Sequence, residues 1–224
     1  MARRTPRGTT DNRETILRAA EQLFAEKGFP STQIAEIAAA AGIGIGSFYR
    51  QFPDKGSVLL AILATLFGDI RAKLLALRAG MVERTFLEQL MMIQRTFEIV
   101  FEVFATHPAV GLTLLRSGYG ISPESEQLVW NAFSELAGDV AADVVRATEM
   151  GVLAIDTPRN VGDAIIGMVL QLSHRLLVDG DISALEAARF CTRFTIGGLL
   201  AFAPGAISEQ VRPLLQGIAP RAAE

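Results

Sequence analysis

The sequence predicts an all-α protein of about nine or ten helices. Its apolar residues recur at intervals of three and four positions along most of the 224-residue chain, which is the period of an amphipathic helix. No stretch alternates apolar and polar residues as a half-buried strand does, and no internal repeat is found. Glycine and proline fall between the periodic stretches, where they end helices.

The composition is typical of a folded protein with a sizeable core. Hydrophobic residues make up 50% of the chain and charged residues 20%. The single cysteine, Cys191, cannot form an internal disulfide, and no signal-peptide pattern opens the chain, so we expect a cytoplasmic protein. The longest run without a charge, residues 194–208, is shorter than a membrane-spanning helix, so we expect no transmembrane segment.

Three short helices are predicted after a basic arm over residues 1–10. The first runs from Arg13 to a terminator at Gly28, with Asp11 or Asn12 as its N-cap, and the second ends at Gly42. The third covers about residues 47–52, where a proline follows. Short helices joined by a tight turn have the outline of a helix-turn-helix domain.

Longer helices are predicted in the rest of the chain. They cover about residues 54–77, 86–107, 108–116, 122–151, 158–179 and 183–203. The last two are apolar around much of their circumference, so they need burial on more than one side.

Charge is divided unevenly along the chain. The net charge is −3, yet residues 1–60 carry 8 basic and 6 acidic side chains, while the remainder carries 13 basic and 18 acidic side chains. A mildly basic head on an acidic body agrees with DNA binding by the N-terminus, and also with a solvated tail that holds a few arginines. Charge alone leaves both interpretations open.

The segment from Thr32 to Lys55, TQIAEIAAAAGIGIGSFYRQFPDK, closely resembles the helix-turn-helix core of TetR-family transcriptional regulators. The matching residues are mainly small, apolar or aromatic: Thr32, Ile37, Ala38, Ala41, Gly42, Ile43, Gly46, Ser47, Phe48, Tyr49, Phe52 and Lys55. The helix before this segment also matches, so the resemblance covers about residues 12–60. Beyond residue 60 only the number and order of helices agree.

The resemblance implies two domains. Residues 1–55 would form a three-helix DNA-binding domain with its basic arm, and residues 56–224 a helical effector-binding and dimerisation domain. It also implies a homodimer that binds a palindromic operator on double-stranded DNA and responds to a small effector. Repression, with release by the effector, is the commoner behaviour in the family, and activation is the alternative. Dimerisation would use the last two long helices. We expect no enzyme activity, no cofactor and no metal.

The predicted DNA-binding residues lie on the second and third helices and at the start of the fourth. Backbone amides at the start of helix two should donate to phosphate, and helix three should reach the major groove. In the family, the positions of Tyr49 and Lys55 commonly contact phosphate. The sequence departs from the family pattern at Gln33, Gly44, Ile45 and Gln51. The full predicted set is Thr32, Gln33, Ile45, Gly46, Ser47, Tyr49, Arg50, Gln51 and Lys55.

Ile45 has no group that can hydrogen-bond a base edge. We therefore expect it to contact a thymine methyl, with Arg50 or Gln51 supplying any polar readout.

The effector site is expected among helices four to eight, as in the family. Apolar residues with few charges there favour a hydrophobic ligand. Each of these residues taken alone is more commonly a core residue, so the prediction depends on the group. It comprises Phe67, Met91, Gln94, Phe97, Phe101, Trp130, Phe133 and His174.

Other functions find less support in the sequence. The glycines from Gly42 to Gly46 resemble a phosphate-binding loop, but an alanine-rich helix precedes them and no P-loop lysine follows. The two histidines, His107 and His174, have no Cys or Glu at metal-ligand spacing. Cys191 on its apolar helix is typical of a small core residue. The remaining alternative is a helical ligand-binding or adaptor protein without operator binding, which salt-dependent binding to a specific duplex would distinguish.

Overall fold

The computed structural model describes residues 9–79, 86–117, 122–207 and 209. These ranges contain nine α-helices and one π-helical segment, joined by turns and loops, and a short helical stretch over residues 205–207. No strand occurs in these ranges, so the predicted all-α class is confirmed. Residues 1–8 of the predicted basic arm lie outside them. The helices are α1 Thr9–Lys27, α2 Ile34–Ala40, α3 Ile45–Gln51, α4 Lys55–Ala79, α5 Phe86–Thr106, α6 Pro108–Ser117, α7 Pro123–Glu149, α8 Pro158–His174 and α9 Ala184–Leu200, with the π-helix Arg175–Asp179 after α8.

Glycines end several helices at the predicted places. Gly28 has φ +80° after α1, Gly42 has φ +68° after α2, and Gly151 has φ +72° after α7. Side chains disfavour this left-handed conformation, and glycine adopts it without strain. Gly42 thereby makes the tight turn between α2 and α3.

Two helix starts differ from the sequence prediction. α1 begins at Thr9, ahead of the predicted cap at Asp11 or Asn12. α3 begins at Ile45 instead of Ser47, because Gly44 is extended (φ −75°, ψ 151°) and serves as the N-cap. Asp54 caps the start of α4, since its Oδ1 accepts hydrogen bonds from the amide of Ser57 at 2.7 Å and from its hydroxyl at 2.9 Å.

The predicted helix over residues 158–179 is interrupted near its end. The α-helix stops at His174 and a π-helical segment continues to Asp179, where Gly180 closes it with φ +68°. The Arg175 guanidinium pairs with both carboxylate oxygens of Asp181 at 3.1 and 2.9 Å. The wider π-helical winding thus belongs to the connection between α8 and α9.

The chain divides into two compact units. The first consists of residues 1–68 and 107–130, and the second of residues 69–106 and 131–224. Helices α4 and α7 each contribute residues to both units. The domain boundary after residue 55 stays a prediction.

In the first unit, α1, α2 and α3 share one apolar core. Its centre is formed by side chains that are almost completely buried: Ile16, Phe24, Ile37 and Phe48. Helix α6 packs against α1 in the same unit.

In the second unit, α5, α8 and α9 pack around a cluster formed by Phe97, Phe101, Val169, Leu172, Ala187, Ala188 and Cys191. Ion pairs connect α4 to α7, where Arg71 pairs with Glu135, and Arg78 lies 3.3 Å from Asp139 and 3.2 Å from Asp143.

Helix α8 approaches α7 very closely at Gly162. This glycine is buried, and a Cβ atom on it would overlap the carbonyl oxygen of Ala137 and lie 2.9 Å from the carbonyl carbon. The contact therefore requires a residue without a side chain.

One described segment, Pro158–Asp179, is long and apolar enough to cross a membrane by length and composition alone. The most apolar 18 residues of this segment have a mean hydropathy of 1.3, and 22% of them are buried. From the sequence we expect no transmembrane segment, because no charge-free run is long enough to span a membrane. Average hydropathy gives a different result here, because a few charges within a long apolar helix lower its average only slightly. Core helices of proteins that do not enter a membrane have the same length and composition.

Replacing Gly162 with alanine is expected to lower the free energy of unfolding by about 3 kcal/mol, since a new methyl group must displace the backbone of Ala137. The matched control is Gly68→Ala in α4, where an added Cβ meets nothing within 4 Å. The control should raise the free energy of unfolding by up to about 1 kcal/mol. Urea denaturation of both variants measures these changes, and equal stability of the two would contradict the close contact.

Candidate nucleic-acid interface

Helix α3 presents one side to the core and the other to solvent. Phe48 is completely buried and Phe52, just after the helix, is 4% exposed, with their ring centroids 6.2 Å apart. Ile45 is 50% exposed and Tyr49 is 54% exposed, although both are large apolar or aromatic residues. Positions four apart lie on one helix face, so these two side chains project together from α3.

Arg50 and Ser47 lie beside this exposed pair. Arg50 is exposed, and its Nη2 donates a hydrogen bond to Ser47 Oγ at 2.6 Å. A guanidinium carries five donors, so Arg50 keeps others for an outside partner. Gln51 is half-buried at the end of the helix. Together with Ile45 and Tyr49, they form a face that combines apolar contact, a hydroxyl and a positive charge.

The glycines at the start of α3 do not pack against any of the residues that the structure describes. Gly44 and Gly46 are exposed, and a Cβ atom on either would meet nothing within 4 Å. At these two positions the backbone of α3 is therefore open to solvent and is not covered by a side chain.

Thr32 is buried rather than presented to a ligand. Its residue is 1% exposed, and its hydroxyl donates to the carbonyls of Gly28 at 2.9 Å and Leu23 at 3.3 Å. Its amide contacts the Phe29 carbonyl at 3.4 Å. The predicted phosphate contact at Thr32 thus competes with bonds that hold the loop between α1 and α2.

The backbone amide of Gln33, which was predicted to donate to a phosphate, donates instead to the side chain of Glu36. Glu36 Oε2 accepts the hydrogen bond of the Gln33 amide at 3.0 Å, and Glu36 Oε1 accepts from Lys27 Nζ at 2.5 Å. The hydrogen bond from Lys27, followed by the one from Gln33, holds the pKa of Glu36 below its ordinary value. A carboxylate here repels phosphate, so the geometry gives no support to a phosphate contact by this amide. A glutamate three residues after a helix cap is a capping-box signal that sequence reasoning missed.

Lys55 is engaged with the protein itself. Its Nζ donates to the carbonyl oxygens of Phe29 at 2.7 Å, Thr32 at 2.9 Å and Pro30 at 3.0 Å. It also lies 4.6 Å from the centroid of the Phe29 ring. An ammonium has three donors, and all three are used here. A phosphate contact by Lys55, which the resemblance implied, would have to replace one of these bonds.

Sequence reasoning also missed Arg13. Its guanidinium carbon lies 5.0 Å from the centroid of Phe52, so α1 places an exposed cation at the end of α3. Arg13 lies on the polar side of α1, and nothing in the sequence distinguishes it from other solvent-exposed arginines.

The predicted effector residues fall into different environments. Phe67 and Trp130 belong to the first unit, and the other six belong to the second. Phe97 and Phe101 are part of the buried cluster of α5, α8 and α9, whereas Met91 is 65% exposed. Trp130 is 53% exposed, whereas Phe67 and Phe133 are buried, with 8% and 6% of their surface exposed. The Gln94 side chain donates to Glu98 Oε1 at 2.8 Å, and His174 Nδ1 lies 3.5 Å from Asp179 Oδ2.

Cys191 is completely buried in the cluster of α5, α8 and α9. Burial raises the pKa of its thiol to about 12, so the reactive thiolate is absent at neutral pH. Among the residues that the structure describes, no group of three His, Cys, Asp or Glu side chains is arranged to hold a metal ion.

Comparisons with known proteins agree with this geometry. The family model "Bacterial regulatory proteins, tetR family" matches residues 16–62. The chain is similar to the HTH-type transcriptional regulator EthR of Mycolicibacterium smegmatis, with 30% identity over 153 residues that cover 66% of this chain and 67% of EthR. It is also similar to the HTH-type transcriptional repressor BepR of Brucella suis, with 28% identity over 205 residues that cover 88% of this chain and 83% of BepR.

A solved structure shares the fold. The crystal structure of a protein from Syntrophomonas wolfei, described as a TetR-family transcriptional regulator, matches with a TM-score of 0.73 and 22% sequence identity. The match covers 86% of this chain and 97% of that protein. At this identity the likeness shows the fold alone.

Thr32→Val is expected to lower the free energy of unfolding by about 1–2 kcal/mol, because it removes a buried hydroxyl that serves two carbonyls. Thr65→Val is the matched control, since the exposed Thr65 hydroxyl donates to Ala61 O within α4. The control should change stability by less than about 0.5 kcal/mol. Urea denaturation compares the two, and a Thr32→Val protein no less stable than the Thr65→Val control would show that the buried hydroxyl is dispensable.

Proposed function

Since the chain belongs to the TetR family of helix-turn-helix transcriptional regulators, we propose that it is a repressor that binds a palindromic operator as a homodimer and is released by a small apolar effector. Regulators of this family bind DNA and are not enzymes. The exposed face of α3, formed by Ile45, Tyr49 and Arg50 above the buried Phe48, carries the proposal. Its side chains suit the major groove, where an α-helix fits.

Each residue on the α3 face has a proposed partner on the duplex. Ile45 contacts a thymine methyl, which is the apolar group that the major groove offers. Arg50, steadied by Ser47, donates to a base acceptor or a phosphate, and the Tyr49 hydroxyl donates to a phosphate. Because Gly46 has no side chain, the sugar-phosphate backbone of the DNA can approach α3 closely at this position.

Binding-site selection with the purified protein, followed by titration of the best duplex, tests this readout. Ile45→Ala is expected to weaken binding about three- to tenfold and to relax the preference for thymine at one position of each half-site. Tyr49→Phe should weaken binding to all duplexes by a similar factor, because phosphate contacts carry no sequence information. Leu75→Ala, exposed on α4, should leave both affinity and preference unchanged.

A half-site that tolerates every base beneath Ile45 would refute the thymine contact. Failure of the wild-type protein to prefer any duplex, with or without apolar ligands, would favour the ligand-binding or adaptor alternative.

The apolar surface of α9 supports the proposed dimer. Phe190 and Phe194 are stacked, with centroids 5.9 Å apart, and they are 53% and 65% exposed. Gly197 and Gly198 follow on the same helix, exposed and with open space around them, so a second helix can approach closely. The segment Pro158–Asp179 is also apolar and largely unburied within one chain. A second copy, related by a two-fold axis, would cover this surface.

Phe194→Glu is expected to weaken dimerisation by about 3 kcal/mol, because a charge would be buried without a partner in the interface. Val145→Glu on α7, where the native valine is 41% exposed, is the matched control and should leave the dimer intact. Sedimentation velocity over a range of protein concentrations measures the change. A Phe194→Glu protein that stays dimeric at the lowest concentration would place the interface elsewhere.

The effector proposal depends on linkage between two equilibria. A ligand that favours a conformation with weaker operator binding must itself bind more weakly to the operator-bound protein, by the same factor. The predicted effector residues are mostly apolar, which supports an apolar ligand.

Trp130 provides a direct probe for the effector, since it is the only tryptophan and is 53% exposed. Titration with straight-chain fatty acids and alcohols of increasing length should shift its emission to shorter wavelength as apolar groups cover the indole. Probes that shift the emission should also weaken operator binding. An emission shift without any change in operator affinity would separate ligand binding from regulation.

A further inference from the structure

We propose that Lys55 is a positioning residue for operator binding, which fixes the start of α4 to the loop between α1 and α2 instead of contacting a phosphate. The inference rests on the proposed function, since it concerns how the DNA-binding unit holds its shape. It assigns Lys55 a role different from the one that the family resemblance implies for this position.

The loop from Gly28 to Thr32 is held by two side chains. Lys55 donates to the carbonyls of Phe29, Pro30 and Thr32, all within 3.0 Å, and the Thr32 hydroxyl donates to the carbonyl of Gly28. Four of the five carbonyls from Gly28 to Thr32 thus accept a hydrogen bond from a side chain. The bonds from Lys55 to the carbonyls of Phe29 and Thr32 are partly buried, where an unpaired carbonyl is costly, whereas the bond to the Pro30 carbonyl is exposed.

Lys55 is well suited to this task. Its ammonium directs three donors from one atom, and its position over the Phe29 ring adds a cation–π contact at 4.6 Å. The residue is half-buried, so the ammonium is partly withdrawn from solvent. A charge that is hydrogen-bonded in this way stays in place only while the loop keeps its conformation.

The position of Lys55 connects two functional elements. It is the first residue of α4, which continues past residue 68 into the second unit. The loop it holds leads directly into α2, which begins at Ile34. A shift of the first turn of α4 would therefore pull on the entry to the helix-turn-helix. Lys55 makes α2 and the start of α4 behave as one element.

This role predicts a particular salt dependence. Each phosphate contact by a cation lowers the slope of log K against log salt by about 0.9. A residue whose donors all serve carbonyls of its own chain makes no such contact. Removing it should reduce operator affinity and leave the slope unchanged.

The experiment compares Lys55→Met, Lys55→Arg and Lys73→Met on the best duplex at four salt concentrations. Lys73 is the matched control, because it lies on α4 in an exposed pair with Asp69 and its replacement changes the net charge equally. Lys55→Met should weaken binding about tenfold or more with an unchanged slope, since it loses charge-assisted hydrogen bonds. Lys73→Met should bind like the wild type.

Lys55→Arg keeps the charge and serves if Lys55→Met fails to fold. Arginine is the better phosphate ligand but directs its donors in a plane, so it cannot serve three converging carbonyls as an ammonium does. Positioning predicts that Lys55→Arg binds more weakly than the wild type, whereas a phosphate contact predicts equal or tighter binding. Unchanged affinity in Lys55→Met, or a slope smaller in magnitude by about 0.9, would overturn the proposal.

Hydrogen exchange in the free protein separates this proposal from the proposed function. The amides of α2 should exchange faster in Lys55→Met than in Lys73→Met. A wild-type protein that binds no specific duplex would contradict the proposed operator binding while the exchange data still report on the loop. Equal exchange in α2 for both variants would overturn the positioning role whatever the DNA result.

Discussion

The burial of Phe48 is the constraint on which the candidate interface depends. Because this ring is completely enclosed in the core of α1, α2 and α3, the opposite side of α3 has to face solvent. Ile45 and Tyr49 are therefore exposed, although an aliphatic side chain and an aromatic ring are usually more stable when buried. The same hydrophobic contact that stabilises the first unit also orients the surface that we propose reads DNA. Folding and recognition are linked through one side chain.

The spacing of apolar residues, with glycine at Gly28 and Gly42, was sufficient to predict the order of the helices, although α1 and α3 begin earlier than predicted. The DNA-binding role of α3 was predicted instead from the resemblance of residues 32–55 to a family motif. The sequence was not sufficient for residues whose role depends on contacts distant along the chain. Lys55 reaches carbonyls 23 to 26 positions earlier, and no periodic pattern encodes that contact. Thr32 matches the family motif equally well as a phosphate contact or as a buried hydroxyl, and only its surroundings distinguish the two roles.

The apolar character of α8 and α9 illustrates how one composition supports different interpretations. Judged by hydropathy alone, Pro158–Asp179 resembles a membrane span, yet Val169 and Leu172 within it pack into a protein core. The exposed stack of Phe190 and Phe194 extends the apolar surface onto α9. A buried side and an uncovered apolar side on neighbouring helices are what a symmetric helical interface requires. The excess hydrophobicity is thus explained without a lipid environment by the proposed dimer.

Hydrogen exchange of the protein with and without its selected duplex tests the central claim most directly. The account predicts that operator binding increases protection in α3, from Ile45 to Gln51, with little change in the buried cluster around Phe97 and Phe101. Protection that appears elsewhere on the chain and leaves α3 unaffected would contradict it.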